Sequence, residues 1–439
     1  MLKKIIGVLL IICMSHLGWT QNFDTIQLNR YLNHLEENNK FMGSIAVSKN
    51  GSVIYSKTIG FLDVGHQIKA NDSSKYRIGS ISKTFTAVLI FKAIEEKKLN
   101  LNETIVKWFP TIKDAKKITI ENLLNHRSGI HNFTENADYL TWNTRVKTER
   151  EMVSIIAKGG SEFSPGSRSM YSNSNYLLLS YILEKVYHQT YPELLQELIL
   201  QPIGLKNTSI FDAIRTQDNE CKSYRFSGKW EEEPETHFSI SLGAGAILST
   251  ATDLTKFADA LMNGRLLNLE SLERMKKLKD NVGMGLFPIP FYDKNGYGHT
   301  GAIDGFSSVF AFFPNDNISY ALVSNATNFD NNEISIAVLS AVFGKPFEIP
   351  EFHTIDLVTE ELEGFLGVYA SPQIPLKITI SKNGNILIAQ GTGQPSFALE
   401  AIDKNKFKSD QVGVKLEFDE KNSTMTLFQG GAQIQFAKE

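Results

Sequence analysis

Strand-type patterning marks the two ends of residues 40–345, and helix-type patterning fills the middle. This layout constrains the fold more than any other feature of the chain. Gly43-Ser44-Ile45-Ala46-Val47 and Ser52-Val53-Ile54-Tyr55 flank Lys49-Asn50-Gly51. Asn-Gly between two apolar runs is a strong hairpin signal. Ahead of it, residues 27–38 place Leu28, Tyr31, Leu32 and Leu35 on one helical face. A long helix is predicted from about Ser80 to Lys98, with Ile81, Phe85, Val88, Leu89 and Ala93 at helical spacing and basic residues at its end. Residues 110–265 are mainly helical by pattern, as in 118–124, 149–157 and 176–187. Residues 211–240 read as irregular and polar, with Glu231-Glu232-Glu233 in a solvated loop. Strands return at 306–313 and 318–324, joined by the turn Pro314-Asn315-Asp316-Asn317, and a helix follows near 333–343. One sheet built from both ends, with a helical block inserted, is an α+β arrangement: an antiparallel sheet packed on helices.

With 439 residues the chain exceeds one typical domain. Pro346 and Pro350 mark residues 346–356 as a linker. Beyond it, Leu376-Lys377-Ile378-Thr379-Ile380 alternates, Lys382-Asn383-Gly384-Asn385 turns and Ile386-Leu387-Ile388 returns, while 414–418, 424–428 and 433–436 alternate too. Residues 357–439 are therefore expected to form a small all-β domain, a barrel or a sandwich.

The N-terminus has its own character. Met1-Leu2-Lys3-Lys4 is basic and residues 5–14 are almost wholly apolar. Residues 1–20 read as a secretory signal peptide, cleaved near Thr20–Gln21, which implies a periplasmic or secreted protein. His16 and Gln21 interrupt the run too early for the roughly 20 apolar residues of a membrane span. The bulky Ile12 before Cys13 argues against lipoprotein anchoring. Only Cys221 then remains, so no intrachain disulfide can form and the fold must stand on its core. Hydrophobic residues make up 42% and charged residues 21%, with a net charge of -3. That balance gives no basic field for nucleic acid and no polybasic patch for a membrane surface.

Three short elements carry possible chemistry. Ser80-Ile81-Ser82-Lys83 opens the long helix, and residues three apart on a helix share a face. A serine hydroxyl needs an adjacent base, and a lysine serves when desolvation lowers its pKa. Taken alone, this short pattern favours an ordinary N-cap serine with a surface lysine. Tyr171-Ser172-Asn173 can point a phenol and an amide the same way, although Tyr31-Leu32-Asn33 matches the same pattern on the first helix. His299-Thr300-Gly301 precedes Ala302-Ile303-Asp304-Gly305-Phe306. Glycine there lets a substrate approach a strand backbone. No H-E-x-x-H, G-x-S-x-G, Walker or dinucleotide fingerprint is present, and no metal or cofactor is expected. His126 reads as structural in its loop.

In their joint order, these elements resemble the penicillin-recognising serine hydrolases. The resemblance is to the branch of class C β-lactamases, D-alanyl-D-alanine carboxypeptidases, D-aminopeptidases and related esterases. It extends over about residues 25–345. Tyr76-Arg77-Ile78-Gly79, Leu123-Leu124-Asn125-His126-Arg127-Ser128-Gly129 and Gly243-Ala244-Gly245 belong to it as well. It implies a β-lactamase/transpeptidase-like domain over 21–345 and an accessory β domain after the linker. It further implies that Ser80 is acylated, that Lys83 and Tyr171 move its proton and activate water, and that Asn173 holds the substrate amide. Thr300 and Gly301 would border the substrate, with Thr300 binding a polar group. The N–H groups of Ser80 and Ala302 would form the oxyanion hole, at about 3 kcal/mol per donor. His299 stands where many members have lysine. At an ordinary pKa of about 6.5 it would bind a carboxylate only when protonated, so KM for acidic substrates would drop as pH falls through that value. The implied substrates are D-amino-acid peptides, small esters or β-lactams, with a small-molecule or short-peptide partner and no nucleic acid. The alternative is a non-catalytic, penicillin-binding-like protein that keeps the fold. The joint presence of Ser80, Lys83, Tyr171 and Asn173 argues against it. Oligomeric state is not legible.

Overall fold

The computed structural model describes residues 23–429 and 431–439. The expected signal peptide lies outside the described residues. Helix α1 (Thr25–Glu37) is capped by Asp24, whose Oδ1 accepts the Gln27 N–H, and it buries Leu28, Tyr31, Leu32 and Leu35. Strands β1 (Phe41–Lys49) and β2 (Ser52–Ile59) follow. Asn50 and Gly51 between them have φ of 52° and 75°. A two-residue turn that matches strand twist needs positive φ at both positions, which is why Asn-Gly recurs there.

Strands β3 (Phe287–Phe291), β4 (Lys294–Ile303), β5 (Phe306–Phe313) and β6 (Ile318–Thr327) complete the sheet in the order β3-β4-β5-β6-β1-β2. All these neighbours run antiparallel. The sheet is thus closed from both ends of the domain, as the patterning implies. Strands β1 and β6 are buried along nearly their whole length, because helices cover both faces. Helices α2 (Ser82–Glu95), α3 (Asn173–Tyr187) and α4 (Ala251–Met262) belong to one side, where Phe85 stacks on Phe257 at 3.7 Å between ring centroids. Helix α5 (Asn331–Phe343) joins α1 on the other side, over Ile45, Val47, Tyr320 and Leu322.

Two segments depart from the sequence reading. Strand β3 contains Pro288 and Pro290, which argue against a strand by composition. It is an edge strand, where a missing N–H costs no ladder bond. Glu231-Glu232-Glu233 is not a free loop. Tyr224–Phe226 and Trp230–Glu232 form a hairpin, tied by Arg225 to Glu231 and Glu233, and Tyr224 pairs with Ala326 of β6. Cross-strand ion pairs offset the poor strand propensity of glutamate.

The C-terminal strands are β7 (Gly367–Ala370), β8 (Lys377–Asn383), β9 (Ile386–Gly391), β10 (Ser396–Asp403), β11 (Lys406–Ser409), β12 (Val414–Asp419), β13 (Thr424–Gln429) and β14 (Ala432–Lys438). They form a closed barrel, in which Tyr369 and Ala370 of the first strand pair with Lys438 and Ala437 of the last. Leu387, Leu399, Phe407, Leu416, Phe418, Met425 and Phe436 fill it. Closure removes the sheet edges and decides between barrel and sandwich.

Lys40, 1% exposed, ties the barrel to the sheet. Its Nζ donates to Glu400 Oε2 and, at 3.0 Å, to Asp410 Oδ2, and Asn328 Nδ2 donates to Glu400 Oε1. Removing one member of a buried pair costs about 3–5 kcal/mol because a desolvated charge is left behind. Both carboxylates here keep 17% exposure. We therefore expect Lys40→Ala to lower the unfolding free energy by about 2 kcal/mol in urea titrations; an unchanged midpoint would show that the pair contributes nothing.

Candidate active site

Ser80 lies in a single 3-10 turn, Gly79–Ile81, just ahead of α2. The turn is wedged against β4. A Cβ on Gly79, which has φ +49°, would lie 2.7 Å from Ala302 O. A Cβ on Gly301 would lie 2.1 Å from Ile78 O. Glycine at both positions is what lets the nucleophile turn and the strand touch. Ser308 Oγ donates to Ile78 O at 2.9 Å and holds the same contact from β5. Behind it, the buried Arg77 donates to Asp304 (2.9 Å), Glu235 (2.6 Å) and the carbonyls of Thr236 and Asp212 (both 3.0 Å). Arg77 thereby joins the segment before Ser80 to the turn that ends β4.

Lys83, one helical turn after Ser80, is fully buried. Its Nζ lies 2.9 Å from Ser80 Oγ, and it donates to Asn173 Oδ1 at 2.8 Å and to Ala244 O at 2.7 Å. Burial pushes the ammonium well below the usual lysine range. A neutral amine has two N–H groups and one lone pair. The two carbonyl oxygens take the N–H groups, so the lone pair faces the Ser80 hydroxyl.

Tyr171 donates its hydroxyl to Ser80 Oγ at 2.7 Å. The residue is 36% exposed, and its hydroxyl is directed at Ser80. Burial of that hydroxyl raises the phenol pKa, and the bond to Ser80 opposes the rise. Lys83 Nζ lies 4.9 Å from the Tyr171 ring centroid. The phenol is therefore a proton donor at neutral pH, and a cation at Lys83 would favour its ionised form.

Asn173 is largely spent on the site itself. Its Nδ2 donates to Asn132 Oδ1 (3.2 Å) and Thr134 Oγ1 (3.1 Å), and its Oδ1 accepts from Lys83. Only a second lone pair on Oδ1 remains for a substrate N–H. Asn173 therefore orients Lys83, and the expected contact with a substrate amide narrows to that one acceptor.

On β4 the side chains alternate. Thr300 and Ala302 are exposed, while His299 and Gly301 are buried. An ordinary histidine is mostly neutral at pH 7, and the surroundings of His299 hold it further toward the neutral form. His299 is 3% exposed, stands edge-on to Phe287 at 4.9 Å, and donates Nδ1–H to Thr300 O. Burial pushes its pKa down to about 3. A neutral, enclosed ring does not anchor a carboxylate.

Ser80, Lys83, Tyr171 and Asn173 thus converge, with Thr300, Gly301 and Ala302 on the adjoining strand. The sequence reading missed Asn132 and Thr134, whose loop carries no periodicity to flag them. Ala244 lies in the Gly243-Ala244-Gly245 pattern, but a backbone carbonyl leaves no side-chain signal. Cys221 is buried and its thiol is pushed up by that burial, so it behaves as a small hydrophobe.

Known proteins resemble this chain in sequence and in fold. Teichoic acid D-alanine hydrolase of Staphylococcus aureus (strain MRSA252) is 28% identical over 318 residues, which span 71% of this chain and 75% of that protein. The structure of D-amino acid amidase from Ochrobactrum anthropi SV3, complexed with L-phenylalanine, superposes with a TM-score of 0.64 at 25% identity, covering 72% of this chain and 99% of that one. The octameric penicillin-binding protein homologue from Pyrococcus abyssi shares the fold over 94% of this chain and all of its own, with a TM-score of 0.64 at 22% identity. The Beta-lactamase family model matches residues 29–343, and the chain belongs to that family of serine-hydrolase fold.

Proposed function

We propose that the protein is an exported serine hydrolase that cleaves amide or ester bonds of small D-aminoacyl substrates through an acyl-Ser80 intermediate. The observation that carries this reading is the convergence of an amine and a phenol on Ser80 Oγ, at 2.9 and 2.7 Å. Ser80 Oγ attacks the substrate carbonyl carbon while its proton passes to the neutral Lys83 Nζ. The N–H groups of Ser80 and Ala302 receive the oxyanion. The tetrahedral intermediate then expels an amine or alcohol, which takes the Tyr171 hydroxyl proton, and the Lys83 ammonium restores that proton. Water repeats the sequence on the acyl-enzyme and releases the acid. No cofactor enters any step.

Thr300 lines the open side of the site and would bind a substrate polar group. Similarity to a teichoic acid D-alanine hydrolase and to a D-amino acid amidase supports a D-aminoacyl specificity. The neutral His299 supports placing β-lactams, which carry a carboxylate, behind uncharged amides and esters. The basic start and apolar run before residue 21 support export to the periplasm or medium, with residues 357–439 as an accessory domain beyond a linker at 346–356.

Ser80→Ala should lower turnover of a p-nitrophenyl D-alanyl ester by about three orders of magnitude, and the protein should lose its fluorophosphonate adduct in intact-mass spectra. Wild-type turnover by that variant would sink the assignment.

Lys83→Arg places a permanent cation that cannot accept a proton, so kcat should fall by about 100-fold or more. In the wild-type enzyme, kcat/KM should fall as pH drops through the depressed Lys83 pKa, because protonation removes the lone pair. A pH profile unchanged by Lys83→Arg would remove Lys83 from the base role.

With His299 held at about 3, KM for a substrate bearing a carboxylate should stay flat between about pH 5 and 8. A KM that falls with acidification would show that the ring protonates when substrate binds.

A further inference from the structure

His126 lies one layer behind Tyr171 and meets it in three ways. Its ring stacks on the Tyr171 ring, with centroids 4.4 Å apart and planes 29° apart. Its carbonyl oxygen accepts the N–H of Met170, the residue before Tyr171, at 2.9 Å. Its Nδ1 accepts the N–H of Ser172, the residue after, at 3.1 Å. We propose that His126 is the positioning residue that sets the Tyr171 hydroxyl over Ser80, by clamping the peptide on both sides of the tyrosine and stacking on its ring.

Other features of the site fit a residue built for this task. His126 has φ +57°, a left-handed conformation that a non-glycine residue rarely holds without compensation. That backbone turn presents both its carbonyl and its ring to one strand of chain. Tyr176 tilts against the ring from behind at 5.2 Å, and Asn175 Nδ2 lies 3.3 Å from Nδ1. Two donors facing Nδ1 require the Nε2–H tautomer of a neutral ring. The titratable groups that face it are Tyr171 and Tyr176, Lys83 from α2 and His299 from β4. Burial keeps the imidazole neutral, with its pKa well below the ordinary histidine range. The clamp therefore survives acidification that would protonate an exposed histidine.

The inference rests on the reading of Tyr171 as the proton donor to the leaving group, and a double-mutant cycle separates the two. His126→Leu removes both the acceptor and the stack. His126→Asn restores an acceptor in a residue that tolerates left-handed φ. We expect His126→Leu to lower kcat for a p-nitrophenyl ester by about 30-fold with KM changed less than about twofold, and His126→Asn to recover part of the loss. In the Tyr171→Phe background neither substitution should change kcat by more than about twofold, because the hydroxyl they position is gone. Equal losses in both backgrounds, or full activity in folded His126→Leu, would overturn the proposal. Wild-type kcat in Tyr171→Phe alone would instead overturn the role of the tyrosine. If His126→Leu does not fold, the Asn variant in both backgrounds decides. Independently, imidazole 15N shifts of the wild-type protein should show an unprotonated Nδ1 that does not titrate between about pH 8 and 5; a midpoint near 6.5 would contradict the clamp.

Discussion

The pairing of β1 with β6 is the contact on which the rest of the molecule depends. Phe41–Lys49 and Ile318–Thr327 run antiparallel with one irregularity, between Met42 and Gly43. This single ladder joins the first and last strands of the hydrolase fold and forces the intervening helical block to pack on the sheet. Gly43 sits at the tightest point of the ladder, where a Cβ would lie 2.3 Å from Val323 O. Because β6 carries β5 and β5 carries β4, the same ladder delivers β4 to the turn that holds Ser80. Helix α2 then points the lysine one turn after the serine into the core.

Removal of water governs the chemistry that follows. Lys83, His126 and His299 are all buried, and each loses its charged form to desolvation. Partners remain to them inside the core: Ala244 O and Asn173 Oδ1 for the Lys83 amine, and a backbone group for Nδ1 of each ring. The result is a site made of neutral donors and acceptors, in which a proton can move from serine to amine without first stripping a counter-ion. The charged groups stand further back. Arg77, Asp304 and Glu235 form a cluster behind the nucleophile turn, where charge serves to fix backbone position.

Much of the fold was legible because apolar periodicity survives packing. The Asn50-Gly51 turn, the buried face of α1, the α2 helix and the β5–β6 hairpin all follow from local pattern and turn chemistry. The edge strand β3 was hidden by Pro288 and Pro290, and the Trp230–Glu232 strand by its glutamates. Both are stabilised by a neighbour and not by their own propensity. The barrel strands Ser396–Asp403 and Lys406–Ser409 were likewise not legible from local pattern. In the site, Ser80, Lys83, Tyr171 and Asn173 could be singled out only because the joint order of their motifs resembles the penicillin-recognising serine hydrolases. Asn132, Thr134 and the Ala244 carbonyl could not, since they act from loops across long stretches of chain.

By itself, the sequence determined which nucleophilic and basic residue types were available, that one sheet had to be assembled from distant strands, and that residues 376–436 were rich in strand-type alternation. Tertiary structure decided the protonation states and the orientations. His299 illustrates the division. Its position beside Thr300 and Gly301 was evident from the chain, and an ordinary pKa would have made it a pH-dependent anchor. Only the fold shows that the strand turns its ring inward against Phe287, where desolvation keeps it neutral. Spacing along a chain sets which side chains can meet, but the free energy of a charge depends on how much water the whole fold leaves around it.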